Sequence, residues 1–89
     1  MVAYRLLVAS SAERMLRRLP EAAASAMVEF MTGPLVENPT RVGKPLMFDL
    51  EGYLSARRGP YRVIYRVDEA ERSVRVVRID HRADVYRTR

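Results

Sequence analysis

Cysteine is missing from this 89-residue chain, histidine and lysine occur once each (His81 and Lys44), and glycine is sparse. No apolar run approaches the ~20 residues that a bilayer span requires. The first absence excludes disulfide scaffolds, thiolate metal sites and cysteine nucleophiles together. A single histidine argues against a His-based metal site as well. Met1–Ala9 lacks the shape of a signal peptide, so the expectation is a soluble, cytoplasmic protein. The near-absence of lysine means that, of 16 basic residues, all but Lys44 are arginine. Codon bias accounts for part of such a skew. Its physical consequence holds regardless, because planar guanidinium forks suit bidentate phosphate contacts better than ammonium groups do.

What is present is a chain that folds. Nearly half the residues are hydrophobic and no low-complexity run occurs, which argues against disorder. A chain of this size forms one domain, 1–89, and buries roughly 60–65% of the surface it exposes when unfolded. That leaves little core for a deep pocket. The net charge is +5, and ten of the basic residues lie from Arg57 onward. Such an excess points to a nucleic acid or an acidic protein as partner, although a solvated face looks the same on charge alone.

Tyr4–Val8 reads as an opening strand. Ser10 or Ser11 is placed to cap a helix whose apolar stripe is Ala12, Met15, Leu16 and Leu19. Pro20 breaks that helix and opens the first turn of a second one, with Ala23, Ala26, Met27 and Phe30 as its stripe. Gly33-Pro34 stops it. Leu35–Val42 reads as a connection, after which the period changes from helix to strand. Leu46–Leu50 and Tyr53–Arg57 are expected as short strands, followed by a Gly59-Pro60 turn and the strongest strand, Tyr61–Val67. Ser73–Ile79 returns as its antiparallel mate, and Asp80–Arg87 is too polar to be a core strand throughout. The layout is α+β: β-α-α followed by a three- or four-stranded antiparallel meander, with the helical hairpin covering one face.

Alternation along Tyr61–Val67 puts Tyr61, Val63, Tyr65 and Val67 on one face and Arg62, Ile64 and Arg66 on the other. With the helices on the tyrosine/valine face, Arg62 projects from the open one, and Arg57 lies near it across the Gly-Pro turn. The plain alternative is a set of ordinary solvated arginines. His81 and Arg82 follow the last strand, and Tyr86 falls one helical turn after Arg82. A tyrosine beside arginines is a natural platform for an exposed base. The plain alternatives are an aromatic that packs the tail onto the sheet and a turn histidine bonded locally.

Gly-Lys-Pro-Leu (43–46), Arg-Arg-Gly-Pro-Tyr-Arg-Val-Ile-Tyr (57–65) and His-Arg-Ala-Asp-Val-Tyr-Arg (81–87) together resemble toxins of the RelE/ParE superfamily, closest to the RelE branch of type II toxin–antitoxin systems. The resemblance covers essentially the whole chain and implies a RelE-like two-layer fold. It implies a ribosome-dependent endoribonuclease that cuts mRNA in the A site, without metal or other cofactor. The 2′-hydroxyl attacks the adjacent phosphate, leaving a 2′,3′-cyclic phosphate and a 5′-hydroxyl. By motif match Arg62 braces the scissile phosphate, Arg82 makes a second phosphate contact, and Tyr86 stacks on a base beside the cut, with Arg57 in support. Lys44, Arg58, Arg66 and Arg87 are the accompanying candidate RNA contacts, Lys44 toward ribosomal RNA. The partner implied is a small acidic RelB-like antitoxin in a hetero-oligomer with the toxin.

The chain departs from the family's pattern where a pair of lysines precedes the turn, since Tyr53 and Ser55 occupy the corresponding positions. Neither is a strong base at neutral pH, and arginine holds its proton. His81 is then the first candidate for proton acceptor, with Asp49 and Glu51 as carboxylate candidates. A site without a dedicated base, working by charge stabilisation, is the other arrangement. Two further readings keep the fold and change the function: a ParE-like inhibitor of DNA gyrase, and a degenerate member kept as a binding module.

Overall fold

A computed structural model of the chain describes residues 3–81. The chain opens with β1 (Arg5–Val8), followed by helices α1 (Ser10–Arg17) and α2 (Glu21–Thr32). Pro20 takes the N-cap position of α2 rather than its first turn. The proline-containing connection is more ordered than its composition suggests: Pro34 and Pro39 each begin a single helical turn, α3 (Pro34–Glu37) and α4 (Pro39–Val42). Proline's fixed φ suits a first helical position, and its missing N–H goes unneeded there.

The remaining strands are β2 (Lys44–Pro45), β3 (Leu54–Arg58), β4 (Tyr61–Asp68) and β5 (Ser73–His81). The sheet order is β1-β5-β4-β3-β2. β2 through β5 form the expected antiparallel meander, and β1 adds a fifth strand, parallel to β5. Sequence reasoning missed that pairing, because a four-residue strand carries no signal of its partner. The strand expected at Leu46–Leu50 is not formed. β2 ends at Pro45 on the sheet edge, one further backbone bond joins the Leu46 N–H to the Tyr53 carbonyl, and Phe48–Leu50 makes a turn of 3₁₀ helix. Phe48 has φ +61 and is 88% exposed.

β3 and β4 are joined by Gly59-Pro60, with Gly59 at φ +62. A positive φ at the first central residue is what a two-residue II′-type hairpin demands of glycine. The register that follows places Arg57 opposite Arg62 and Ala56 opposite Val63. A bulge interrupts the β4–β5 ladder: Ile64 pairs with Arg78 and Tyr65 with Val76, leaving Val77 as the extra residue. The bulge reverses the parity of β5. Val74 and Val76 face the helices before it, and Ile79 does so after it. Arg78 and Asp80 thereby turn to the open face, and β5 runs to His81 rather than ending at Ile79.

The core lies between the sheet and the helices. Ala12, Met27, Phe30, Met31 and Leu35 pack on Ala56, Val63, Tyr65, Val74, Val76 and Ile79. Tyr65 is fully buried, and its hydroxyl donates to the Pro39 carbonyl at 2.5 Å. Desolvation pushes its pKa up to about 12. Gly43 lies so close to this ring that a Cβ there would collide with the hydroxyl oxygen. Tyr65 thus fastens α4 and the start of β2 from inside the core.

Candidate nucleic-acid interface

The face of the sheet away from the helices carries rows of side chains set by the register. Arg57, Arg62 and Asp80 form the first row, and Lys44, Ser55, Ile64 and Arg78 the second. Arg66 pairs with Arg75 in the next, where Tyr53 lies beneath the Arg66 guanidinium at 5.2 Å from the ring centre.

Between α4, β2 and the β3–β4 hairpin the open face sinks into a hollow of about 460 Å³ lined by Val42, Lys44, Leu46, Ser55, Arg57 and Arg62. Among the described residues, three cations line it and no carboxylate does. Among the described residues, none of Lys44, Arg57 or Arg62 has an acidic partner within ion-pair distance. Arginines directly opposite one another repel across a ladder. Such a pair is retained most naturally where an anion spends part of its time. Ser55 adds a hydroxyl to the hollow.

Asp80 is the carboxylate that the register brings beside this hollow. It is 6% exposed and sits in register with Arg62, yet its oxygens are taken by Arg78, with Nη2 at 2.9 Å and Nε at 3.4 Å. Among the described residues, no carboxylate is left to pair with Arg62. Sequence reasoning placed Asp80 in a polar tail and gave it no role. The adjacent apolar pair Val76-Val77, which breaks the period of two, was the signal for the bulge that brings it here.

The other candidates divide by strand parity. His81 pairs with Tyr61 and meets its ring edge-on at 5.2 Å between centres, on the helix side, one register step from Arg62 and facing the other way. Arg58 also turns to the helix side, its guanidinium 5.9 Å from the centre of the Phe30 ring, beside Ala23, Ala26 and Met27. Arg66 lies on the open face but in a different hollow, with Tyr53. Asp49 and Glu51 are exposed in the β2–β3 loop. The structure thus brings together Lys44, Arg57 and Arg62, and it does not bring His81 or Arg58 to them. Arg82, Tyr86 and Arg87 lie outside the described residues.

Among the described residues no group of three or more His, Asp and Glu side chains converges as metal ligands would, and no helix is long and apolar enough to cross a membrane.

Comparison with known proteins agrees with this architecture. The family model described as "ParE toxin of type II toxin-antitoxin system, parDE" matches residues 5–86. Two curated proteins of Mycobacterium tuberculosis are similar along nearly the whole chain. Toxin RelE is 50% identical over 94% of this chain and 87% of its own length, and Toxin RelG is 48% identical over 94% and 97%. Among solved structures, the toxin–antitoxin complex RelBE2 of the same organism contains a chain that superposes with a TM-score of 0.89 at 48% identity, covering 94% of this chain and 97% of that one. With its helices on one face of a five-stranded sheet and that family's model matched from β1 into the tail, the chain belongs to the RelE/ParE toxins of type II toxin–antitoxin systems.

Proposed function

We propose that this toxin is a ribosome-dependent mRNA endonuclease, acting in the cytoplasm and held inactive by an acidic, partly extended antitoxin that covers the basic open face. The observation that carries the reading is the hollow in which Lys44, Arg57 and Arg62 converge without a carboxylate among the described residues. In-line attack of a 2′-hydroxyl on the neighbouring phosphorus builds negative charge on the phosphoryl oxygens, breaks the bond to the 5′-oxygen, and leaves a 2′,3′-cyclic phosphate and a 5′-hydroxyl. Fixed guanidinium groups stabilise that charge without changing their own protonation. Arg62 braces the scissile phosphate and Arg57 supports it. Arg82 supplies a second phosphate contact from the tail, and Tyr86 stacks on a base beside the cut.

His81 faces away from Arg62, which favours the arrangement without a dedicated base. The 2′-hydroxyl proton passes to solvent, and the departing 5′-oxygen takes one from water. Such a site is slow alone and depends on the ribosome to align the mRNA, since alignment for attack supplies a large part of the barrier lowering. Complexes of RelE with RelB have been solved for relatives at 48% and 25% identity, which supports an antitoxin partner here.

The second reading, a ParE-like gyrase inhibitor, draws on the name of the matching family model. A triple-cation hollow has no evident duty in it, and the curated relative at 50% identity is named Toxin RelE. The test adds purified protein to a defined translation mixture and maps the mRNA by primer extension. New 5′ ends inside codons, dependent on ribosomes, are expected. Intact mRNA together with inhibited DNA supercoiling overturns the reading in favour of the second.

A further inference from the structure

The open face holds a second hollow, of about 550 Å³, whose walls include Tyr53, Arg66 and Arg75 together with Asp68, Glu69 and Glu71. It lies on the same face as the cation hollow. Tyr53, Ser55 and Arg57 alternate onto one side of the β3 segment, and Arg66, Ile64 and Arg62 do so along β4. Four residues of strand separate Arg62 from Arg66, roughly 13 Å at 3.3 Å per residue. The two hollows thus lie on one face of the sheet, with the buried Ile64 between them.

The two hollows differ in chemistry. Among the described residues, one presents three cations and no acid. The other presents an aromatic ring, partly exposed, with the Arg66 guanidinium lying over it, and balances Arg5, Arg66 and Arg75 against Asp68, Glu69 and Glu71. A hollow whose charges balance has little pull on a phosphate, whereas a neutral, flat ring needs none. An arginine plane and a tyrosine plane are the two surfaces on which an unstacked base packs. We propose that Tyr53 and Arg66 form a base-stacking subsite for single-stranded RNA, so that a strand whose phosphate rests on Arg57 and Arg62 places a nearby base on the Tyr53–Arg66 pair. This rests on the RNA-cleaving reading given above and adds a subsite to it.

The test uses short 2′-O-methyl oligoribonucleotides, which cannot be cleaved, and copies made abasic at each position in turn. Affinity is measured at low salt for the unaltered protein, Tyr53→Ala, Tyr53→Phe and Arg62→Ala. One abasic position is expected to weaken binding to the unaltered protein by about 5- to 150-fold, the range of one stacked base. Tyr53→Phe keeps that base dependence. Tyr53→Ala loses it while retaining binding to the abasic probe, which a purely structural or electrostatic role would not produce. Base dependence at every position unchanged in Tyr53→Ala, with Arg62→Ala still weakened, overturns the subsite and leaves the cleavage reading standing. If the unaltered protein binds no oligonucleotide at all, the subsite and the nucleic-acid reading of the whole face fall together.

Discussion

The two sides of β4 are built from the same eight residues and have opposite properties. Val63 and Tyr65 are wholly buried toward the helices, while Arg62 and Arg66 turn to the other face, where Arg62 stands opposite Arg57 and Arg66 opposite Arg75. The first side contributes stability by removing apolar surface from water at about 25 cal/mol per Å². The second side gains nothing for the fold, since clustered like charges destabilise it slightly. Alternate residues of one strand therefore answer to different demands, and neighbouring substitutions should have unlike consequences.

The sharpest break of that comparison is Arg62→Ala. Ribosome-dependent cleavage is expected to fall by roughly 10²–10³-fold, the usual loss on removing one preorganised donor to a developing oxyanion. Stability should stay within about 0.5 kcal/mol, as for surface changes in general. Antitoxin binding should be largely kept. Undiminished cleavage by this variant, measured by primer extension, removes Arg62 from the site. Its neighbour Val63→Ala should do the reverse. Deleting two buried carbons and leaving a cavity costs about 2–3 kcal/mol, which in a domain this small lowers the melting temperature by roughly 10–20 °C. Cleavage per folded molecule should be unchanged at a temperature where the variant is folded.

Gly43 and Tyr65 are where the two sides meet. A Cβ at position 43 would drive into the Tyr65 hydroxyl and also comes within 3.0 Å of the Ser55 carbonyl. Gly43→Ala should therefore cost about 1–3 kcal/mol through overpacking, and it should also depress cleavage, because the shift carries Lys44 out of the hollow. Tyr65→Phe leaves the buried Pro39 carbonyl without its donor, at about 1–3 kcal/mol. The hydroxyl also sets a pH dependence. Its folded pKa is raised from 10.0 to about 12 by burial, so the folded state holds the proton more tightly than the unfolded chain. The stability linked to that proton is fully present below pH 10 and is lost as pH rises toward 12. Urea midpoints followed across that window should fall for the unaltered protein and fall less for Tyr65→Phe.

How much of this was legible in the sequence follows the same division. The alternation of Tyr61–Val67 gave the helix-facing and outward faces of β4, though not the burial of Ile64 on the outward one, and the Gly-Pro turn placed Arg57 beside Arg62, because both signals are local. Three features were not legible because they depend on tertiary pairing. β1 joins β5 in parallel through four residues that name no partner. Pro34 and Pro39 start helical turns in a segment packed on the core, with the Tyr65 hydroxyl bonded to the Pro39 carbonyl. The bulge at Val77 reverses β5, sending His81 away from Arg62 and bringing Asp80 in. A period of two carried straight through Ser73–Ile79 assigns Arg78 and Asp80 to the wrong side.

Asp80 gives the finest test, because it is a buried charge on the side otherwise reserved for exposed cations. Arg78 holds both of its oxygens, although Arg62 stands directly across the ladder. Opposite charges at facing positions of two strands attract, so removal of Arg78 leaves Arg62 as the nearest cation for a carboxylate that cannot remain buried unpaired. In Arg78→Ala, cleavage should drop several-fold, about the effect of 1 kcal/mol, as Asp80 neutralises the arginine that braces the phosphate. Adding Asp80→Asn to that variant removes the competing charge and should restore cleavage. Asp80→Asn alone should leave it near the parent level. Measured with a matched urea series, the cycle separates capture of Arg62 from simple destabilisation: stability alone would make cleavage per folded molecule identical in all four proteins. Equal rates across the cycle would mean that Arg78 guards nothing.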